Sequence, residues 1–371
     1  MACAGFTAQV IFFCLNNFSH MDYYNGTAII IVRKTKISSR SRRRKGRIYM
    51  GHGNWRDNDF REYSRRAGRR VRRDGTVDLS GYTNVRDMYQ ERGLCRDLDP
   101  MGVMRECCET PEHPDTLPVI LALDVTGSMG RAAMEVAGKL GEVMREVLGF
   151  GKDIEFMIMG IGDLDYDRAP IQISQFESDI RIAGALDKIY FEGGGGGNRW
   201  ESYTGAWYMA ARHTVLDCWK RGRRGLIITM GDEPLNPVLP GRILAGVTGD
   251  PLQGDVRTGD LYREVLAKYA VYHINVEHGH SETFRRAAMD AWSRALDRRH
   301  LMECTVEGIS QAIVRIILDE LAEREEGPAG HARPLLPVFS TEEKRETEDR
   351  EEAVSHYGFG GILRRRRRPL R

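Results

Sequence analysis

An α/β fold, doubly wound on a mainly parallel sheet with helices on both faces, is predicted by three features of the sequence. Short apolar runs alternate with stretches of helical period from about Leu117 to Arg324. The first run, Val119 to Leu123, has the length of a buried strand and ends on Asp124; Thr126, Gly127 and Ser128 follow, and a helical period starts at Arg131. A long amphipathic segment, Val306 to Arg324, closes the series with Ile309, Ile313, Ile316 and Leu321 inward. Strands and helices in alternation imply crossover connections and a parallel sheet.

In chain order, residues 1–49 show no shared period: apolar pieces at Phe6 to Leu15 and Thr27 to Val32 precede the basic run RKTKISSRSRRRKGR. Met50-Gly51-His52-Gly53-Asn54-Trp55 reads as a natural beginning, so 1–49 is expected to be a mis-annotated extension or a disordered basic arm. Residues 50–116 are polar, with scattered Phe60, Tyr63, Tyr82 and Tyr89. They are expected to form an irregular collar with one short helix within Thr83 to Arg92, ending in a linker marked by Pro111 and Pro114. The main domain, 117–325, begins with the Val119 strand and a helix carrying Val136, Leu140, Val143 and Val147 at spacings of four, three and four. Strands follow at Ile154 to Ile161 and Ile171 to Ser174, then a helix at Asp179 to Ile189. The glycine run Gly193 to Gly197 leads to a helix through Leu216. Gly225 to Thr229, Ala270 to Val276 and Leu301 to Cys304 read as strands, and Tyr262 to Tyr269 and Thr283 to Ala295 as helices. Residues 326–371 read as a charged flexible tail, with Tyr357-Gly358-Phe359-Gly360 as a docking element.

The chemistry concentrates where the first strand ends. Asp124, Thr126 and Ser128 place three oxygens at the carboxyl end of a strand, which is where open α/β sheets bind ligands. Asp and Ser also cap helices, so a plain strand-to-helix turn is the simpler use of the same residues. PVILALDVTGSMG resembles the D-x-S-G-S motif of von Willebrand factor A (vWA) domains, with threonine at the first hydroxyl. The resemblance covers about 205 of the 371 residues. It implies a vWA/Rossmann-like fold and a metal-ion-dependent adhesion site drawn from three loops. The second loop of the family supplies a threonine after glycines; here Gly193 to Gly197 run into Asn198, so Asn198 or Glu201 is the candidate ligand and Thr204 a weaker one. The third loop supplies an aspartate, matched by Asp232, with Glu233 as rival. The metal set is therefore Asp124, Thr126, Ser128, Asn198, Glu201 and Asp232. All are oxygen donors, which favours Mg2+, with Mn2+ or Ca2+ as alternatives, over zinc. Few direct carboxylates leave such an ion under-neutralised, so a partner's Asp or Glu would complete its shell.

Other motifs carry less. No Gly-Lys-Ser/Thr follows the glycines, so a P-loop is unsupported. Asp163, Asp165 and Asp167 begin like an EF-hand loop, but Arg168 and Ser174 stand where glycine and glutamate are needed; they read as a polar rim. His278, His280 and Glu277 form a lesser metal candidate. His213 and His273 read as packed or surface histidines, and Trp200, Trp207 and Tyr208 as core or rim aromatics.

Composition bounds the rest. The chain is 41% hydrophobic and 29% charged with a net charge of +2, which fits a soluble core with charged extensions. Seven cysteines without C-x-x-C pairs or zinc spacing suggest reduced thiols and a cytoplasmic setting. No apolar run reaches a membrane span, and Phe6 to Leu15 lacks the flanks of a signal peptide. The expected function is a metal-dependent protein-binding module without catalysis. Intracellular bacterial proteins resembling this one work beside AAA+ ATPases of the MoxR type, which implies such a partner. The alternatives are a metal-assisted hydrolase or phosphotransferase using Asp124, Asp232 and the glycine loop, and nucleic-acid binding through the Arg-rich ends. Ser128 has no evident base, which weighs against the first; mixed acids near the basic runs weigh against the second.

Overall fold

The computed structural model describes residues 22–24, 27–29, 54–111, 113–149, 153–192, 200–277 and 279–326. Residues 1–48 form a unit of their own, of which the backbone hairpin of β1 (Asp22–Tyr24) and β2 (Thr27–Ile29) is described. All other elements belong to the second unit. It opens with α1 (Asp57–Arg66), the one-turn α2 (Val85–Met88) and β3 (Arg105–Cys107). The core then runs β4 (Leu117–Asp124), α3 (Gly130–Leu148), β5 (Ile154–Ile161), β6 (Ile171–Ile173), α4 (Arg181–Asp187), α5 (Thr204–Arg212), β7 (Thr214–Leu216), α6 (Asp217–Lys220) and β8 (Gly225–Gly231). It continues with β9 (Val238–Leu239), α7 (Gly241–Thr248), β10 (Val256–Arg257), α8 (Thr258–Leu266), β11 (Tyr269–Glu277), α9 (Glu282–Ser293), β12 (Leu301–Thr305) and α10 (Ile309–Glu326).

Six strands make one sheet in the order β12-β11-β8-β4-β5-β6, parallel except for β6. The strands at its centre are apolar throughout because both faces are covered. Val119, Leu121 and Leu123 of β4 face a cluster built with α3, α4 and α10, while Ile120 and Ala122 face one built with α5, α8 and α9. The fold class is thus the one the alternation predicts. From β4 the chain builds outward through β5 and β6 on one side, then returns to β8 and builds through β11 and β12 on the other. The winding reverses between β4 and β8, and at such a switch point the connections leave a crevice beyond the carboxyl ends of the strands.

The polar segment before the sheet packs on α3. Phe60 is buried against Gly141, where a Cβ would come within 2.7 Å of its ring. At Gly130 a Cβ would approach Val85 to 2.9 Å. Glycine on this face of α3 lets the collar lie close, and the Val77 amide donates to the Gly138 carbonyl at 2.9 Å. Tyr89 Oη donates to the Ala133 carbonyl at 3.0 Å, and Tyr63 Oη to Asp187 at 2.6 Å.

Three expectations about elements need correction. The helix read as running through Leu216 stops at Arg212. His213 is drawn aside by Asp250 (2.7 Å) and the Val103 carbonyl (2.8 Å), and Thr214–Leu216 pairs with β3 instead. The helix read as Tyr262 to Tyr269 is α8, which begins at Thr258 and leaves Tyr269 to open β11. Helices α1 and α7 have no counterpart in the sequence reading. Gly241 and Gly246 lower the helical propensity of α7, which Gly249 then ends in a left-handed turn (φ 81°). Among the described residues no helix is long and apolar enough to cross a membrane.

Candidate metal centre

Because β4 and β8 are neighbours, Asp124 at the end of one and Asp232 just after the other reach the same crevice. The turn after β4 folds on its own carboxylate: Asp124 Oδ1 accepts the Thr126 amide at 2.8 Å and the Thr126 hydroxyl at 2.5 Å. Thr126 Oγ1 lies 3.3 Å from Ser128 Oγ, which donates to Asp232 Oδ1 at 3.2 Å. An octahedral ion with bonds of about 2.1 Å sets neighbouring ligand oxygens about 3 Å apart, so the hydroxyls and Asp232 have the separations of one edge-sharing set. Both hydroxyl protons point at carboxylates, which leaves hydroxyl lone pairs for a cation. Asp124, Thr126 and Asp232 are buried, whereas Gly127 is exposed and Ser128 half-buried, so the site opens at the turn.

Tyr203, just before α5, ties the loops together. Its hydroxyl donates to Asp124 Oδ2 at 2.7 Å and accepts the Glu233 amide at 3.3 Å. A Cβ on Gly231 would overlap this phenol, so glycine there is a steric requirement. Trp292 Nε1 donates to the Glu233 carbonyl at 3.1 Å and holds the second half of the same turn.

The electrostatics are one-sided. Burial, then the charge of Asp232, raises the proton affinity of Asp124. Burial also raises that of Asp232. Glu201, 5% exposed, is pushed up by burial and by Asp124, Asp163, Asp167 and Glu233. Glu233 rises to about 7 through burial, Asp232 and Asp124, and Asp167 to about 6, chiefly through burial. Buried carboxylates this close demand protons or a bound cation. Glu201 Oε2 and Asp232 Oδ2 are buried atoms without a hydrogen bond, as ligand atoms awaiting a cation would be. The donor set fits a hard divalent ion.

No family model matches the chain, and no curated protein matches it. Solved structures that resemble it include the pilus adhesin SpaC from Lactobacillus rhamnosus GG in its open conformation (11% identity, TM-score 0.38, 59% of this chain and 31% of that chain). Others are the vWF domain of the type V pili tip protein Mfa5 from Porphyromonas gingivalis (12%, 0.36, 58% and 99%) and the conserved hypothetical protein BatB from Bacteroides thetaiotaomicron (14%, 0.34, 57% and 100%). The chain spans about a third of the SpaC adhesin. What decides the fold is the strand order, with the D-x-T-G-S turn at its switch point. The fold is vWA-like.

In this vWA-like domain, four of the six residues expected to hold metal, Asp124, Thr126, Ser128 and Asp232, form one hydrogen-bonded chain. Glu201 stands close enough for its charge and that of Asp124 to oppose each other. Asn198 and the glycine run lie outside the described residues. Thr204, the weaker candidate, is bound into the interior: its hydroxyl accepts from Asn236 Nδ2 at 2.6 Å and its amide donates to Asn236 Oδ1 at 3.1 Å. The Asp163 loop is an Asx turn closed by the Asp165 amide on Asp163 Oδ1 (2.9 Å), consistent with a rim. In the candidate group of Glu277, His278 and His280, the two described members have different partners. Glu277 pairs with Arg285, His278 lies outside the described residues, and His280 turns to Asp232 and Glu233. Tyr203 is the residue the sequence reading missed; a phenol beside a candidate metal loop has no signature apart from its neighbours.

Proposed function

We propose that this chain is a metal-dependent protein-binding module, in which a divalent cation, best Mg2+, is held by Thr126, Ser128 and Asp232 with Asp124 and Glu201 supplying charge. The observation that carries this reading is the convergence of two hydroxyls and buried, mutually repelling carboxylates at the switch point. When bound, the ion supplies an electrophilic centre for an acidic side chain of a partner. The chain's own residues fix the hydroxyls, exclude water beneath them and leave access at Gly127 and Ser128. A groove of about 1010 Å³ opens from Ser128 between the collar and α3, with Arg72, Arg86, Arg131 and Lys139 among its lining residues. These cations outnumber Glu135 and Glu307 in the same lining and favour an acidic partner segment. A AAA+ ATPase of the MoxR type, a cytoplasmic setting and a bacterial source remain parts of the proposal carried by the motif's resemblance.

The test is calorimetric titration of Mg2+ into the full chain and into the Thr126→Ala/Ser128→Ala variant, followed by binding of a fluorescent aspartate-rich peptide with Mg2+ or chelator. The reading expects Mg2+ binding that the double variant loses, and peptide binding that needs both ion and hydroxyls. Equal Mg2+ affinity in the two proteins would overturn it.

A further inference from the structure

The Asp232 carboxylate faces two ways. Oδ1 accepts from Ser128, while Oδ2 points to the opposite side, where His280 Nε2 lies at 3.1 Å and Glu233 Oε1 lies 3.7 Å from the same nitrogen. One ligand atom from each of Asp232, Glu233 and His280 falls within 4.8 Å of the others. Asp232 is 2% exposed, and both its Oδ2 and His280 Nε2 are buried atoms that make no hydrogen bond. An imidazole nitrogen this near two carboxylates makes a hydrogen bond to neither, and its distances to both are those of a group of ligand atoms. That is the arrangement of ligands around a shared ion rather than of an ordinary ion pair.

The supports of these groups are rigid. The His280 ring stacks on Phe284 with centroids 4.2 Å apart and an angle of 24°. Ser281, next in the chain, caps α9 by accepting the Phe284 amide at 3.3 Å. Glu233 is held through its amide by Tyr203 and through its carbonyl by Trp292. With its side chain 28% exposed, His280 also leaves a path from solvent.

We propose that Asp232, Glu233 and His280 form a second cation site, for a divalent transition-metal ion such as Zn2+, that shares Asp232 with the magnesium site. The donor chemistry separates the two. Hydroxyls and carboxylates suit Mg2+, whereas one imidazole with two carboxylates suits a borderline ion with an open position for water or a partner's group. The inference rests on the proposed function only through the shared carboxylate, since its own ligands come from the turn after β8 and the loop before α9.

The experiment titrates Zn2+ and, separately, Mg2+ into the full chain and into His280→Gln, Glu233→Gln and Thr126→Ala/Ser128→Ala, with folding checked by circular dichroism. The expected result is that His280→Gln and Glu233→Gln each weaken Zn2+ binding by more than the roughly 10–100-fold that loss of an outer-shell partner costs, with Mg2+ affinity unchanged in His280→Gln. The double hydroxyl variant should lose Mg2+ and keep Zn2+. If Mg2+ affinity survives in that variant while His280→Gln abolishes Zn2+ binding, the first reading fails and this one stands. Zn2+ affinity in His280→Gln within threefold of the parent, or Zn2+ binding lost equally in the hydroxyl variant, overturns the second site.

Discussion

Replacing Tyr203 with phenylalanine removes one oxygen and leaves the packing. The ring sits 5.4 Å from Trp292 and 5.5 Å from His273, centroid to centroid, and is fully buried, so Phe fills the same space without a cavity. What goes is the 2.7 Å bond to the Asp124 carboxylate and the 3.3 Å bond from the Glu233 amide. A hydrogen bond to a charged group contributes about 1.5–3 kcal/mol, and the longer amide bond adds about 0.5 kcal/mol. Tyr203→Phe should therefore destabilise the chain by about 2–3 kcal/mol, or lower its Tm by about 5–10 °C for a domain of this size. The assay is urea unfolding and differential scanning calorimetry in chelator, where no ion contributes. A loss below about 0.5 kcal/mol would refute the view that this phenol joins the two loops.

Other outcomes follow from the same geometry. Mg2+ at 100 times its Kd should add about 2.7 kcal/mol to the wild type, read as a Tm rise that Thr126→Ala/Ser128→Ala abolishes. Glu155, at the far end of β5, is pushed up to about 7 by burial and then by Glu177. A carboxyl raised on folding stabilises below its unfolded value near 4.5 and loses that contribution as pH rises through 7. Glu155→Gln should thus gain about 2–3 kcal/mol on the wild type between pH 4.5 and 8, measured by urea unfolding at both; a constant difference would contradict this. Phe60→Ala, emptying the contact with Gly141, should cost about 3–5 kcal/mol and expose the 54–111 segment to limited proteolysis first.

The succession of strands along the chain was legible because each central strand is apolar on both faces, and β5 runs over the very residues its composition marks out, Ile154–Ile161. The first candidate loop was legible for a different reason: Asp124, Thr126 and Ser128 lie within five residues, so their contacts are local and any strand-to-helix turn there would form them. The collar was less so. Phe60, Leu79 and Val85 look like isolated apolar residues until Gly141, Gly138 and Gly130 of α3 offer them a surface.

Local pattern, then, determined the alternation of elements and the turn that ends β4, since hydrophobic period and short-range hydrogen bonds act within a few residues. Only the tertiary structure decided that Asp232 comes within 3.2 Å of Ser128, that Tyr203 bridges the two loops and that His280 turns toward the acids. Those positions depend on β4 and β8 being neighbours across a crossover of a hundred residues. No residue of the chain encodes that adjacency alone; it follows from burying both faces of the sheet at once.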